Sequence, residues 1–496
     1  MSKTKLVKLK SNLRIQPLFS GFSMQIDHLH PVFSSARLFL KDLPYISKNT
    51  DAFNSWYLRQ SNQFKTAYEK HKVLNVDWDI FLNELALQNG YCLDILYKKI
   101  PIKLGGAIEL FYTGLNKPSY KLNNLVYENN SSKNLHSIVI NDAKESPNWH
   151  YWWGDTPTKF EIKRPLDNLS CTTLADLILT PSDFNLAYEK MSSDLDREML
   201  ELLTEESIDK PDSNTFNNSL EIFYINHATI VITRGDISII VDPLLNFFDE
   251  ENPASFYDYV PKKIDYVLIT HAHYDHIDLP TLLTLSNRIG KILIPKASGM
   301  DCDFSIRHTL EPYFPGRLIE MDSFELMQFR PDFSLTSLPF QGEHSDLISS
   351  KATWLISVSG KNLWFGADCR SLDSNLYKFV RSKFGVIDMI FIGIACEGSP
   401  LNRAYPHFSR PVSNEKANTR TTKGAGHQEI YEMIKAFSPD SVYIYALGFE
   451  YWLKYFLGNP VQKYRDEFYR LVNLLDNRNK KLKNLRLLVG PQKINL

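Results

Sequence analysis

The segment His271-Ala272-His273-Tyr274-Asp275-His276 packs four potential metal ligands of two kinds into six residues. It follows the apolar, β-branched run Ile264-Asp265-Tyr266-Val267-Leu268-Ile269-Thr270, which reads as a buried strand delivering the cluster. The two-residue alternation of a strand sends His271 and His273 to one side, while Asp275 and His276 fall in the turn and can face a second ion. With 13 histidines in 496 residues, three in one hexapeptide is far from an even scatter. The pattern reads as a two-metal site.

Outward from the cluster, residues 223–232 and 237–242 read as a strand pair joined at Arg234-Gly235-Asp236, where glycine permits positive φ. Asp242-Pro243 ends the second strand, and residues 281–287 and 291–295 read as a helix and the next strand. On the C-terminal side, Leu338-Pro339-Phe340-Gln341-Gly342-Glu343-His344-Ser345-Asp346 offers a glutamate and a histidine side by side. Adjacent side chains do not readily converge on one ion, so Glu343 and His344 compete for one ligand position and the other becomes an orienting neighbour. Another carboxylate arrives at Gly366-Ala367-Asp368, after the apolar strand 362–365.

The HxHxDH spacing and this order of elements resemble the metallo-β-lactamase fold over roughly residues 218–460. The resemblance implies an α/β architecture, an αββα sandwich in the C-terminal part, preceded by a separate α+β N-terminal domain. Hydrolases of that fold usually place a histidine where this chain offers Glu343. Gly-Glu-His-x-Asp followed by Asp368 instead resembles the diiron branch, the carrier-protein-dependent amino-acid β-hydroxylases of antibiotic biosynthesis typified by the chloramphenicol pathway. That resemblance implies that His271, His273 and Glu343 hold one iron, and that Asp275, His276 and Asp368 hold the other, with Asp368 bridging. Three carboxylates would offset much of the charge of two ferric ions and lower the reduction potential, which suits iron better than zinc. Manganese also fits such a donor set. If His344 is the ligand, the site becomes histidine-rich and a zinc hydrolase of a lactone, phosphodiester or thioester is the better reading.

Three further residues stay open as additional ligands or supporting groups. His427 precedes a helical stretch near where many members of the fold supply a late histidine, His227 resembles a recurrent position at the metal floor, and Asp242 resembles a buried structural aspartate. Residues 397–400, 404–407 and 443–452 are aromatic and polar candidates for a substrate channel, or core.

The length implies two or three domains. Residues 184–203 read as a helix, and the polar stretch around Pro211 reads as a linker. The expected division is an N-terminal domain over 1–205, a linker over 206–217 and the metal domain over 218–496. Trp149, Trp152 and Trp153 read as core or interface anchors of the first domain, and His28 and His30 as ordinary histidines. A net charge of −1 gives no global case for nucleic acid. Lys3, Lys5, Lys8, Lys10 and Arg14 form a basic start that reads as a solvated tail or a contact for an acidic carrier domain. Neither a secretory signal nor a run long enough to span a bilayer is expected, and the five cysteines show no CxxC pairing, so the expected location is the cytoplasm.

The resulting expectation is an O2-dependent diiron monooxygenase, reduced by an external electron-donor protein and acting on an aminoacyl group tethered to a peptidyl carrier protein. A homodimer is left open. The competing classes are the zinc hydrolase and a non-catalytic protein that keeps the fold.

Overall fold

The structure is a computed structural model that describes residues 6–9, 14–17, 93–100, 102, 106, 108–112, 118–122, 136–141, 161–166, 168–179, 182–191, 193–206, 219–245, 256–273, 275–296, 306–311, 313–342, 350–394, 423–446 and 461–495. Two seven-stranded sheets dominate it. The first has the order β14-β13-β12-β11-β10-β9-β22 and the second β15-β16-β17-β18-β19-β20-β21. In the first sheet, β9 (Leu220–Asn226), β10 (Thr229–Arg234) and β11 (Ile237–Val241) are antiparallel; β12 (Ile264–Leu268), β13 (Ile289–Pro295) and β14 (Leu318–Met321) continue in parallel, and β22 (Gln492–Ile494) returns to pair with β9. In the second, β15 (Leu326–Arg330), β16 (Phe333–Pro339), β17 (Ala352–Val358) and β18 (Lys361–Ala367) form an antiparallel run. β19 (Met389–Ile392), β20 (Ser441–Ile444) and β21 (Asn484–Leu487) extend it in parallel.

Both faces of these sheets are covered, which is why many strands read as continuous apolar runs rather than alternating ones. One core lies between the sheets, where Ile230, Ile232, Ile239, Val241 and Leu268 meet Leu335, Trp354, Ile356, Leu363 and Phe365. A second lies behind the second sheet, under the helices Ser374–Phe384, His427–Phe437 and Val461–Asn477. A third covers the first sheet through the helix Leu279–Thr284. The C-terminal part is thus the αββα sandwich of the metallo-β-lactamase fold.

That third core does not stop at the sandwich. Leu174, Ala175 and Leu177 of the helix Asn168–Leu179 are buried in the same cluster as Ile264, Leu282 and Leu283, together with Leu96, Ile108, Leu110 and Tyr120. Asn287 Nδ2 donates to Asp176 Oδ1 at 2.8 Å across this contact. The remaining strands, β1 (Leu6–Leu9), β2 (Arg14–Pro17), β3 (Ile108–Tyr112), β4 (Pro118–Leu122), β5 (His136–Asn141), β6 (Glu161–Leu166), β7 (Ser182–Asp183) and β8 (Thr204–Glu206), form small sheets ordered β7-β1-β8, β2-β5-β6 and β3-β4. The N-terminal module therefore shares apolar packing with the sandwich, against the helix that follows the histidine cluster.

Two local expectations are corrected. Residues 223–232 are not one strand: β9 and β10 are separate and turn back at His227-Ala228, with His227 at φ 49°. No glycine or proline marks this turn, and both flanks are buried, so the apolar run conceals it. Residues 184–203 are likewise two helices, Phe184–Lys190 and Asp194–Leu203, the first ending where Met191 adopts an extended conformation. The turn at Gly235 (φ 61°) is as expected. Trp149, Trp152, Trp153, His28, His30, Lys3, Lys5, Lys10 and all of the expected linker 206–217 except Glu206, which ends β8, lie outside the described residues. Among the described residues, no helix is long and apolar enough to cross a membrane.

Candidate metal centre

Four strand ends meet at one rim of the sandwich. Strand β12 stops at Leu268, and Ile269 N donates to Leu293 O on the neighbouring strand at 3.0 Å. Thr270 O accepts Ala352 N from the second sheet at 2.8 Å, so the histidine cluster leaves the junction of both sheets. His273 O accepts the amides of His276 and Ile277, each at 2.9 Å, closing the tight turn that brings Asp275 and His276 back toward His271. Asp242 follows β11, Asp368 follows β18 and His227 caps the β9–β10 hairpin.

Reaching this rim takes unusual backbone. His227, Asp242, Ala367 and Ala446 all have positive φ, between 41° and 51°, and a non-glycine residue held there persists only where its surroundings over-determine it. The restraints are visible. Ala446 N donates to His227 O at 3.0 Å, Asp242 N to Leu268 O at 2.9 Å, and Ala367 N to the buried phenol of Tyr445 at 3.1 Å. Gly393 leaves room for the rim, because a Cβ there would sit 3.1 Å from both Ala367 O and Asp368 Oδ1 and force them to give way.

Among the described residues, two groups of ligand atoms converge closely enough to hold a metal ion: His227, Asp275 and His276, and His271, His276 and Asp368. His227 Nε2 lies 3.3 Å from Asp275 Oδ2; His276 Nε2 lies 3.3 Å from Asp368 Oδ2 and 4.0 Å from Asp275 Oδ1; His271 Nε2 lies 3.9 Å from Asp368 Oδ2. His273 belongs to neither group. Its ring stacks edge-on to His271 at 4.7 Å between centroids. His276 Nε2 is buried without a hydrogen bond, an arrangement that costs free energy in a metal-free protein and that a cation would relieve.

The tautomers fit the same reading. Asp242 is fully buried; its Oδ2 faces His276 Nδ1 at 2.8 Å and accepts the Thr270 hydroxyl at 2.6 Å, while its Oδ1 accepts Thr270 N at 2.8 Å. A carboxylate has no proton to give, so His276 keeps a proton on Nδ1, and Nε2 is the nitrogen that gives up its proton and faces the site when metal binds. Thr270 has its hydroxyl proton committed to Asp242, so at 2.9 Å its oxygen accepts from His271 Nδ1, leaving the His271 Nε2 lone pair facing inward. One buried aspartate thus orients two histidines.

Electrostatics follow from crowding. Burial disfavours the His276 cation, but Asp368, Asp275 and Asp242 outweigh it and hold its pKa well above the ordinary value. Burial opposes ionisation of Asp275, yet His276, His227 and His273 hold its carboxyl below the usual range. Burial raises Asp242, with His276 and Thr270 pulling the other way. Such a nest of nitrogen and carboxylate donors suits a divalent or trivalent first-row metal.

Glu343 and His344 lie outside the described residues, as do residues 397–400, 404–407 and 447–452. The chain that leads to Glu343 is described: Phe340 packs on the His271 ring at 5.2 Å between centroids, and Gln341 O accepts the amide of Arg370, two residues beyond Asp368, at 2.7 Å. His427 joins neither group. Its Nδ1 lies 2.6 Å from Oε2 of Glu467, which also accepts His427 N at 3.1 Å at the start of the helix His427–Phe437. Cys369 turns its Sγ toward Tyr377 Oη at 3.8 Å, and burial pushes its thiol pKa up. Thr270 was not singled out by the sequence as a site residue, and Tyr445 only as part of the stretch 443–452; a hydroxyl immediately before the HxH pair was the available signal for the first.

Residues 238–438 match the family model described as "Beta-lactamase superfamily domain". The 4-amino-L-phenylalanyl-[CmlP-peptidyl-carrier-protein] 3-hydroxylase of Streptomyces venezuelae is 28% identical over 431 residues, covering 82% of this chain and 79% of that protein. The crystal structure of CmlA, a diiron beta-hydroxylase from Streptomyces venezuelae, superposes with a TM-score of 0.74 at 20% identity, covering all of both chains. A metal-dependent hydrolase of Saccharolobus solfataricus is 24% identical over 153 residues, 30% of this chain and 61% of that protein. The C-terminal part of the chain therefore has the metallo-β-lactamase fold, and the chain resembles the carrier-protein-dependent hydroxylase over most of its length.

Proposed function

We propose that this protein is a non-haem diiron monooxygenase that hydroxylates an amino acid, at Cβ, while it is held as a thioester on a peptidyl carrier protein. The observation that carries the reading is the extent of the likeness. The similarity to the S. venezuelae hydroxylase spans 82% of the chain, whereas the hydrolase of S. solfataricus matches 30% of it. A zinc hydrolase of this superfamily needs only the sandwich; a likeness that extends over the whole layout favours the oxygenase.

In this reading His271, His273 and Glu343 would hold one iron and Asp275, His276 and Asp368 the other, with His227 beside Asp275 as a further donor. When bound, the two irons supply the redox chemistry by which O2 oxidises a C–H bond, with electrons from an external donor protein. The chain's own residues supply the frame. Asp242 and Thr270 keep the two imidazoles in the ligating tautomer, the left-handed turn at Ala367 aims Asp368, and Phe340 covers one face of His271. His271 and His276 are fully buried and form the floor of the site.

The test is direct. Protein from iron-supplemented cells should hold two irons per chain with an oxo-bridged diferric absorption that Glu343→Ala abolishes. With reductant and O2, a carrier-bound aminoacyl group should gain the mass of one oxygen atom. Colourless dizinc protein, indifferent to Glu343 and active on ester or thioester substrates without O2, would overturn the proposal and turn attention to His344.

A further inference from the structure

The helix Ser374–Phe384 begins six residues beyond Asp368 and has an outer face that the fold leaves open. Phe379 is 52% exposed, and Leu372, in the turn leading into the helix, is 58% exposed. Leu376 precedes Phe379 by three residues, so the two share one helix face, with Leu376 half-buried at its base. Phe324, partly buried, meets Phe379 edge-on at 5.5 Å between ring centroids, and Lys383 Nζ stands 5.3 Å above the Phe324 ring. Leu376, Phe379 and Phe324 thus form one apolar cluster, with Leu372 exposed in the turn that leads into the same helix.

The helix itself carries charge of one sign, while the exposed acids Asp373 at its N-cap and Asp322 and Glu325 beside Phe324 lie at the edge of the patch. Between Ser374 and Phe384 the helix has Lys378, Arg381 and Lys383 and no acid. Arg381 is turned inward to the carbonyl of Phe437, while Lys378 and Lys383 are exposed. The chain as a whole is nearly neutral, at −1, so this positive strip is a local feature. Apolar side chains beside exposed bases are not favoured on a bare surface but suit a partner that is apolar and anionic.

We propose that this face, with Leu372, Phe379, Lys378 and Lys383 at its centre, docks the carrier domain; the proposal rests on the carrier-dependent reading above. A carrier domain presents an anionic phosphodiester at the root of its phosphopantetheine arm, which is the charge the two lysines complement. One end of the patch also starts close to the metal rim. Leu372 follows Asp368 by four residues, so their Cα atoms are at most about 14 Å apart. The amides of Leu372 and Asp373 both donate to Gln341 Oε1 at 2.8 Å, tying this turn to the segment that leads into Glu343. A carrier seated here delivers its arm to the metal rim.

The experiment uses the iron-loaded full chain and the phosphopantetheine-loaded peptidyl carrier domains encoded in the same genome. Binding is measured at two ionic strengths for wild type, Lys378→Glu/Lys383→Glu, Phe379→Ser and Lys378→Arg/Lys383→Arg. Expected results are a rise in Kd, and in KM for the aminoacyl carrier, of about tenfold or more for the first two variants, with kcat, iron content and Tm unchanged. The arginine pair should bind as wild type, and added salt should weaken wild-type binding more than that of the glutamate pair. Unchanged carrier affinity in both disruptive variants would overturn the docking surface while leaving the hydroxylase reading intact. So would a loss of self-association with carrier binding retained, which would assign the face to a second copy of the chain. Iron-loaded wild type that binds none of the carrier domains would overturn this proposal together with the reading on which it rests.

Discussion

Asp242 Oδ2 accepts the Nδ1 proton of His276 across 2.8 Å, with both side chains fully buried. The two residues are 34 apart in the chain and come from adjacent parallel strands, so the metal-facing nitrogen of His276 is set by the pairing of β11 with β12. The same carboxylate reaches His271 through Thr270.

Asp242→Asn should therefore preserve the backbone, since asparagine tolerates the left-handed conformation at φ 41°, while losing control of the His276 tautomer. Metal affinity should fall by about 10–100-fold, with near-native secondary structure by circular dichroism. Titration of the metal-free variant against a competing chelator reads the change. Undiminished affinity would remove Asp242 from the site's wiring.

Thr270→Val keeps the shape of the side chain and deletes the hydroxyl between Asp242 and His271. The loss should cost about 1–3 kcal/mol of stability in urea denaturation and weaken metal loading, and Thr270→Ser should restore both. Equal behaviour of the valine and serine variants would show that the relay does not operate.

The raised pKa of His276 makes metal binding pH-dependent. A folded pKa above the unfolded value of 6.5 stabilises the metal-free protein fully below about pH 6.5, and that contribution disappears as the pH rises through the folded pKa. Metal must expel the same proton. The gain in Tm on adding metal should therefore grow from about pH 6 to about pH 8, with proton uptake by buffer seen in calorimetry. A gain independent of pH across that window would contradict the assignment.

Gly366→Ala should disturb Asp368 from behind. A Cβ at Gly366 would lie 2.6 Å from the Trp364 ring and 2.8 Å from Ile392 Cδ1, inside a closed core. Overpacking of this kind costs about 1–3 kcal/mol, and the displaced strand end should lower metal content as well. Gly360→Ala, at a turn with open space around its Cβ, gives the contrast: only the strain of φ 77°, and intact metal loading.

The parts of the site that lie close together in the chain are legible in the amino-acid sequence alone. His271, His273, Asp275 and His276 sit on one short segment after an apolar strand, and Asp368 follows another, so local spacing announces ligands at strand ends. Residues 223–232 show where this stops. With both faces of the strands covered, apolar alternation vanishes, and the turn at His227-Ala228 has no glycine or proline to mark it.

The amino-acid sequence by itself therefore determined the candidate ligands of the cluster and the sandwich that carries it. Only the tertiary structure decided that His227 stands 3.3 Å from Asp275, that Asp242 directs two imidazoles, and that the N-terminal module packs on the helix after the cluster. These contacts join residues far apart in the chain, and they depend on strand register and on left-handed turns held by distant hydrogen bonds. Local propensity carries no information about either.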